Sequence, residues 1–223
     1  MSTLPVADEP RPFHIPEGDP RLWLYPLLRP LEEANGMTVP ERGDFDLNPR
    51  WRDEAAPLLR PAAVLVPIID RPGGLTVLLT RRSPNLSSHA GQVAFPGGRI
   101  DPGDDGPVGA ALRETEEETG IPRAFVTPVG LLDPYETGTG FVIVPVVGVL
   151  REGCTPRANP DEVDEIFEVP LAFLMDTANH QRHSGTWQGR EPRYYAMPYE
   201  THNIWGATAG MIVNLRERLG GGA

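Results

Sequence analysis

The apolar positions of the chain fall into short runs of the kind that form strands. Residues 62–69 are a continuous Val- and Ile-rich run, which predicts a strand buried on both faces. Pro72, Gly73 and Gly74 predict a turn, and residues 75–80 a second strand that pairs with the first as a hairpin. Further strand-like runs occupy residues 92–95, 125–132, 141–150 and 166–169. The middle of the chain is therefore predicted to be β-rich.

Helical patterns interrupt these runs at two main places. The clearer helix starts where Asp104 or Asp105 can cap it, and Gly120 ends it. Residues 203–219 predict a C-terminal helix that begins near Trp205. Strands around two helices indicate an α/β or α+β fold, in which a mixed β-sheet is packed between helices.

The beginning of the chain has a different composition from the rest. Residues 1–57 are rich in proline, and Pro26 and Pro30 interrupt a helical spacing of leucines, which predicts an arm with only short helices. Residues 52–59 have the pattern of a second short amphipathic piece. Residues 58–219 are predicted to form one compact domain. The arm either wraps this domain or contributes to a homodimer, and its composition does not indicate which.

Composition narrows the class of protein. The chain has 223 residues, of which 39% are hydrophobic and 23% charged, and this excludes a wholly disordered chain. No apolar run approaches the ~18 residues of a membrane helix, so we expect a soluble protein without a membrane partner. A formal charge of -11 argues against non-specific binding to nucleic acid. The single cysteine, Cys154, and the absence of a recognisable targeting segment favour a reduced, cytoplasmic setting.

Three carboxylates are concentrated near the end of the clearer helix. Glu114, Glu117 and Glu118 are spaced i, i+3 and i+4, so they project from one face, which we call the acidic face. They repel one another and also lie at the negative end of the helix dipole. Arg113 is four residues from Glu117 and neutralises only part of this charge. The pattern favours a site for Mg²⁺ or Mn²⁺ over the alternative of a solvated acidic face.

A glycine-rich loop precedes the acidic helix, and loop and helix together form a specific motif. The motif consists of Gly97, Gly98, Arg113, Glu114, Glu117, Glu118 and Gly120. With these residues at these spacings, the segment resembles the Nudix box of hydrolases that cleave nucleoside diphosphates linked to another moiety. It departs from the usual pattern at Asp105, which stands in place of Glu, at Thr115, and in a loop that is one residue longer.

The resemblance implies a Nudix-type α/β/α sandwich and a division of roles among these residues. Arg113, Glu114, Glu117 and Glu118 would be catalytic. The three glutamates and the carbonyl of Gly97 would bind the metal, while Arg113 holds the carboxylates in place. The metal would neutralise the pyrophosphate and activate a water that attacks phosphorus. The proton acceptor would be a helix glutamate or a loop acid, Glu162 or Glu165.

A second motif lies upstream and narrows the substrate. Residues 78–98 look like the extra signature of the coenzyme A pyrophosphatase branch, with Ser87 where the signature has a basic residue. Arg82, Arg81 and Gly98 would bind substrate, and Arg81 or Arg60 would compensate for Ser87. The matching residues are Leu78, Leu79, Thr80, Arg81, Arg82, Ser83, Leu86, Ser87, His89, Ala90, Gly91, Gln92, Phe95, Pro96, Gly97 and Gly98.

Three functions follow from these resemblances. The first is metal-dependent hydrolysis of coenzyme A or acyl-coenzyme A into 4′-phosphopantetheine and adenosine 3′,5′-bisphosphate. The second keeps this chemistry and changes the substrate to ADP-ribose, a dinucleotide or another nucleoside diphosphate derivative. The third is a Nudix-fold module that senses a nucleotide without cleaving it. In each case the predicted partner is a small nucleotide-like molecule.

Overall fold

The structure, a computed structural model, describes residues 13–49, 59–186 and 191–220. Within these ranges the helices are α1 (Pro20–Leu24), α2 (Gly106–Thr119), α3 (Leu171–Met175) and α4 (Ala207–Gly220). The strands are β1 (Arg42–Gly43), β2 (Arg60–Arg71), β3 (Gly74–Arg82), β4 (Val93–Ala94), β5 (Gly97–Arg99), β6 (Val126–Leu131), β7 (Tyr135–Thr137), β8 (Phe141–Leu150), β9 (Val163–Pro170), β10 (Gln181–Ser184), β11 (Arg193–Tyr199) and β12 (His202–Trp205).

A mixed sheet forms the centre of the molecule. Among the described residues it has nine strands, with the principal order β1-β7-β8-β2-β3-β4, and β5 lies beside β2, β6 beside β8 and β9 beside β3. At its centre β2 and β8 run parallel, whereas β2 and β3 are antiparallel. A smaller antiparallel sheet consists of β10, β11 and β12. The predicted hairpin and the predicted mixed sheet are confirmed.

The alternation of side chains along β2 explains why its sequence is apolar from Ala62 to Ile69. Ala63 and Leu65 pack in the hydrophobic cluster that includes the buried face of α2. Val64 and Val66 point to the other side, into the cluster that includes α4. Because helices cover both faces of the sheet, every position of the strand from Ala62 to Ile69 is buried. The layers are helix, sheet and helix, as the sequence predicted.

The N-terminal segment packs against this sandwich on both sides. Leu24 and Leu28 are buried in the cluster on the α4 side, and Ala34 and Met37 in the cluster on the α2 side. Its helices are short, as predicted: α1 has five residues, and the remaining turns are 3-10 helices. The amphipathic piece predicted at residues 52–59 lies outside the described residues, apart from residue 59. The domain boundary at residue 58 stays a prediction.

The predicted glycine-rich loop begins with a strand. Residues 97–99 form β5, in which Gly97, Gly98 and Arg99 pair with consecutive residues of β2. A Cβ atom on Gly97 would lie 2.4 Å from the carbonyl oxygen of Ala63, so only glycine fits here. Calling this stretch a loop was wrong because β5 is held by its pairing with a distant strand and carries no β-branched residue.

The predicted C-terminal helix begins later than expected. Residues 202–205 form β12, whose backbone is paired with β11, so α4 begins only at Ala207. Gly206 has a φ of 62° and makes the turn between strand and helix. Trp205 is 37% exposed and lies edge-on against Tyr194. Among the described residues, no helix has both the length and the apolar character needed to span a bilayer.

Candidate active site

The end of α2 is fixed by backbone hydrogen bonds from a neighbouring loop. Gly120 has a φ of 65° and terminates the helix, as the sequence predicted. The amides of Asn159 and Arg157 then donate to the carbonyls of Glu118 and Thr119 at 2.9 and 2.7 Å. These bonds satisfy carbonyls that the helix leaves unpaired. They also hold residues 157–163 against the helix end that carries the acidic face.

Glu118 is the buried member of the acidic face. Its side chain is 5% exposed, and its Oε2 accepts a hydrogen bond from the amide of Gly97 at 3.1 Å. The Arg82 guanidinium is 3.8 Å from Oε1. Burial raises the pKa of Glu118 to about 8, and this outweighs the lowering effects of Gly97 and Arg82. The positive groups around Glu118 therefore do not offset the cost of burying its charged carboxylate.

Glu114 lies against the glycines of β5. A Cβ atom on Gly98 would lie 2.5 Å from the Glu114 carboxyl carbon, so the second glycine makes room for this carboxylate. Burial raises the pKa of Glu114, although the hydrogen bond from Arg113 opposes the shift. The glycine pair and the acidic face, which the sequence placed in one motif, therefore meet in space.

Arg113 connects the acidic face to the loop before the helix. Its Nη1 donates to Glu114 at 3.0 Å and to Glu117 at 2.9 Å. Its Nε and Nη2 donate to Asp104 at 2.8 and 2.9 Å, which lowers the pKa of Asp104 to about 2. Asp105 occupies the N-cap position of α2 but makes no capping bond with its side chain. Asp104 therefore orients Arg113, a role that the capping pattern did not predict.

The acidic face has the chemistry of a divalent cation site. Within the described ranges, no three carboxylate, imidazole or thiol groups are already arranged to hold a metal ion. Glu117 is 53% exposed and turned towards Arg113. Glu114 and Glu118 are nevertheless oxygen donors whose charged forms are disfavoured by burial, and a hard cation would stabilise those forms. The residues present therefore fit such an ion.

The two arginines predicted to bind substrate lie in different surroundings. Arg82 extends towards Glu118, and its Nε is buried without a hydrogen-bond partner among the described residues. Arg81 instead forms ion pairs with Asp164 at 2.8 Å and Glu165 at 3.0 Å. Arg82 is thus the one that faces the acidic face. A role for Arg81 in substrate binding stays a prediction.

The structure also separates the two loop acids considered as proton acceptors. Glu165 is bound by Arg81 and lies 3.1 Å from the Nε2 of His202. Glu162 is half-buried, and its charge raises the pKa of both Glu114 and Glu118. Only Glu162 is therefore close to the acidic face. In sequence, the acidic run that contains Glu162 and Glu165 resembles a solvated loop. The hydrogen bonds of residues 157–159 to the end of α2 hold the part of the run that contains Glu162 near the acidic face.

The comparisons with known proteins all indicate the same family. The NUDIX domain matches residues 59–188. The uncharacterized Nudix hydrolase NudL of Photorhabdus laumondii is 45% identical over 160 residues, which cover 72% of this chain and 85% of that protein. NudL of Escherichia coli K12 is 44% identical, with 72% and 83% covered. The crystal structure of the Nudix hydrolase RenU from M. smegmatis has a TM-score of 0.51 and 21% identity, covering 74% and 88%.

These similarities agree with the motif and with its geometry. The family match spans more than half of the chain, and the two NudL proteins are aligned over most of their length. RenU is similar in fold. Nudix hydrolases generally use divalent metal ions, which suits the carboxylates of the acidic face. The chain therefore belongs to the Nudix family and is a pyrophosphatase of the hydrolase class.

Proposed function

We propose that the protein hydrolyses the pyrophosphate bond of coenzyme A or an acyl-coenzyme A. The products would be 4′-phosphopantetheine and adenosine 3′,5′-bisphosphate. The observation that carries the proposal is the contact between the upstream signature and the acidic face. Arg82, inside that signature, lies 3.8 Å from Glu118 with a buried Nε that has no partner among the described residues. A phosphate oxygen would supply the missing acceptor.

Each residue of the site has a proposed role in the reaction. Glu114, Glu117 and Glu118, with the Gly97 carbonyl, would hold Mg²⁺ or Mn²⁺. When bound, such an ion supplies charge neutralisation for the pyrophosphate and acidifies water. Arg82 would bind a pyrophosphate oxygen and stabilise the charge that develops on it. Arg113 would keep Glu114 and Glu117 in position through its two hydrogen bonds.

Glu162 is the proposed proton acceptor. A general base must reach the attacking water while remaining ionised and unpaired. Glu165 is engaged by Arg81 and His202, which makes it less suitable. Glu162 is close enough to Glu114 and Glu118 to influence both electrostatically. Its carboxylate would take the proton as water attacks phosphorus.

Three further features of the protein belong to the proposal. The chain contains only Cys154, and the structure shows it as a free, half-buried thiol, which supports a cytoplasmic setting. A homodimer to which the N-terminal arm contributes, and a compact domain of residues 58–219 that follows the sequence pattern, are also proposed.

The test is product chromatography with coenzyme A, ADP-ribose and a dinucleotide, each with Mg²⁺, Mn²⁺ or a chelator. Glu118→Gln should lower turnover of the cleaved substrate by two orders of magnitude or more, because it removes a charged ligand. Glu116→Gln is the matched control, since Glu116 on the same helix pairs with Arg123 outside the site. It should retain turnover.

The outcomes separate the three functions. Metal-dependent release of adenosine 3′,5′-bisphosphate from coenzyme A would support the proposal. Cleavage of ADP-ribose or the dinucleotide alone would replace coenzyme A by another nucleoside diphosphate derivative, a change that Ser87 already suggests. Binding without any cleavage would contradict a catalytic role.

A further inference from the structure

A second group of cationic side chains lies at the same end of the sheet as the acidic face. Arg60 opens β2, Phe141 opens β8, and Arg99 ends β5. Arg60 is in register with Phe141, and Arg99 with Ala62, two residues further along β2. Register partners, and residues two apart on one strand, point to the same face of a sheet. The three side chains therefore leave the sheet from one face.

An aromatic ring joins the two guanidinium groups. The Cζ of Arg60 lies 3.9 Å from the centroid of the Phe141 ring, and the Cζ of Arg99 lies 6.0 Å from the same centroid. Arg60 also donates from Nη2 to the carbonyl of Thr139 at 3.0 Å. The ring and this hydrogen bond restrict the Arg60 side chain before any ligand arrives.

The charge of this Arg60–Arg99 pair is not balanced by a carboxylate within the ranges that the structure describes. Both arginines are exposed, and neither forms an ion pair with a carboxylate of the described residues. By contrast, Arg81 and Arg113 are each held by two or more carboxylates. Two like charges beside one ring repel each other, and an anion between them would relieve that repulsion.

The pair is also next to the reaction site. Arg99 directly follows Gly98, whose backbone lies against the Glu114 carboxylate. The Arg99 carbonyl accepts a hydrogen bond from Nη2 of Arg113 at 3.2 Å. Side chains alternate along β5, so Arg99 leaves the sheet on the face opposite Gly98, and an extended ligand that crosses β5, whose consecutive Cα atoms are about 3.8 Å apart, reaches both the acidic face and the arginine pair.

We infer that the Arg60–Arg99 pair binds a phosphate monoester of the substrate, separate from the pyrophosphate that is cleaved. Guanidinium groups bind phosphate through paired hydrogen bonds. Arg60 covers one face of the Phe141 ring, so that face is not available for stacking with a nucleobase. The inference rests on the proposed function, and in coenzyme A the group is the 3′-phosphate of the ribose.

The experiment compares coenzyme A with dephospho-coenzyme A, which lacks this phosphate. The wild-type protein should prefer coenzyme A, and the ratio of the two kcat/KM values should fall on the order of 10-fold in Arg60→Ala/Arg99→Ala. Arg151→Ala is the matched control, because this exposed arginine follows the opposite end of β8. It should keep the wild-type ratio.

Binding of the product provides a readout that does not need activity. The wild-type protein should bind adenosine 3′,5′-bisphosphate more tightly than adenosine 5′-monophosphate in calorimetry, and the double variant should lose that difference. If the wild-type protein binds the bisphosphate more tightly but does not cleave coenzyme A, the proposed substrate is contradicted and the phosphate site is supported. Cleavage of coenzyme A with an unchanged kcat/KM ratio in the double variant would overturn the phosphate site alone.

Discussion

At the scale of single residues, the site depends on how closely a backbone approaches a carboxylate. Gly98 has no Cβ, and the Glu114 carboxyl group occupies the space where one would be. Displacements of about 1 Å at a catalytic group can cost on the order of 100-fold in rate. A single methyl group at this position should therefore affect turnover strongly.

Gly98→Ala is expected to lower kcat by about 10- to 100-fold, because the new Cβ pushes Glu114 away from its position. Steady-state kinetics with the identified substrate measures this change. Gly73→Ala is the control, since the equivalent Cβ there meets no atom within 4 Å. Equal rates for Gly98→Ala and the wild type would show that the position of Glu114 is not critical.

At the scale of elements, the end of α2 and the loop at residues 157–163 form one unit. Gly120 ends the helix with a left-handed φ, and a Cβ there would lie 3.2 Å from the carbonyl oxygen of Arg157. The same loop carries Glu162. A change at the helix end therefore reaches the site through the loop.

Gly120→Ala should lower the free energy of unfolding by about 1–2 kcal/mol, because alanine is strained at positive φ. It should also lower kcat, because the crowded Arg157 backbone shifts the loop. Gly153→Ala is the control: Gly153 also has a positive φ, and its Cβ would meet nothing within 4 Å. Urea unfolding and kinetics together give the result. A loss of kcat that is as large in Gly153→Ala would contradict the role of the loop.

At the scale of the whole molecule, one carboxylate connects the N-terminal segment to the C-terminal helix. Asp133 accepts hydrogen bonds from Asn214 at 2.7 Å and from Arg29 at 3.3 Å, and it is paired with Arg218. Burial alone would raise the pKa of Asp133, but the hydrogen bonds from Arg218 and Asn214 outweigh burial and hold this pKa below its usual range. The ionised form is therefore the one that stabilises the fold.

The sign of the pH dependence follows from this lowered pKa. The contribution of Asp133 is fully present above the unfolded value near pH 4 and is lost as the pH falls through the folded value. Asp133→Asn should cost about 1–3 kcal/mol at pH 7, since Arg218 and Arg29 lose their shared anion. The cost should shrink at pH 3. Urea unfolding at both pH values checks this, with the exposed Asp70→Asn as control. A cost independent of pH would contradict it.

The sequence predicted those parts of the fold that depend on local pattern. The apolar run of β2, the hairpin to β3 and the termination of α2 at Gly120 are all encoded within a few residues. Strand β5 was not predicted, because Gly97 and Gly98 pair with a strand more than thirty positions away in the sequence. The prediction extended α4 too far because Ile204 and Trp205 also fit a helical pattern, although β11 pairs with them.

The site shows the same division between local and distant information. The acidic face follows from helical spacing, so the meeting of Glu114, Glu117 and Arg113 could be predicted. The proximity of Glu162, in contrast, requires the hydrogen bonds of residues 157–159 to the helix end. Asp104 and Asp105 were both candidates for the cap, because the sequence of the loop before α2 does not show which way either side chain turns.

The parallel pairing of β2 and β8 has a consequence for how the chain folds. The ten register pairs from Arg60↔Phe141 to Ile69↔Leu150 join residues about 80 positions apart, so this ladder is non-local and closes slowly. During synthesis the ribosome releases β5 and α2 before β8. The segment with the acidic residues is therefore made early, and it acquires its final surroundings only when the centre of the sheet is completed.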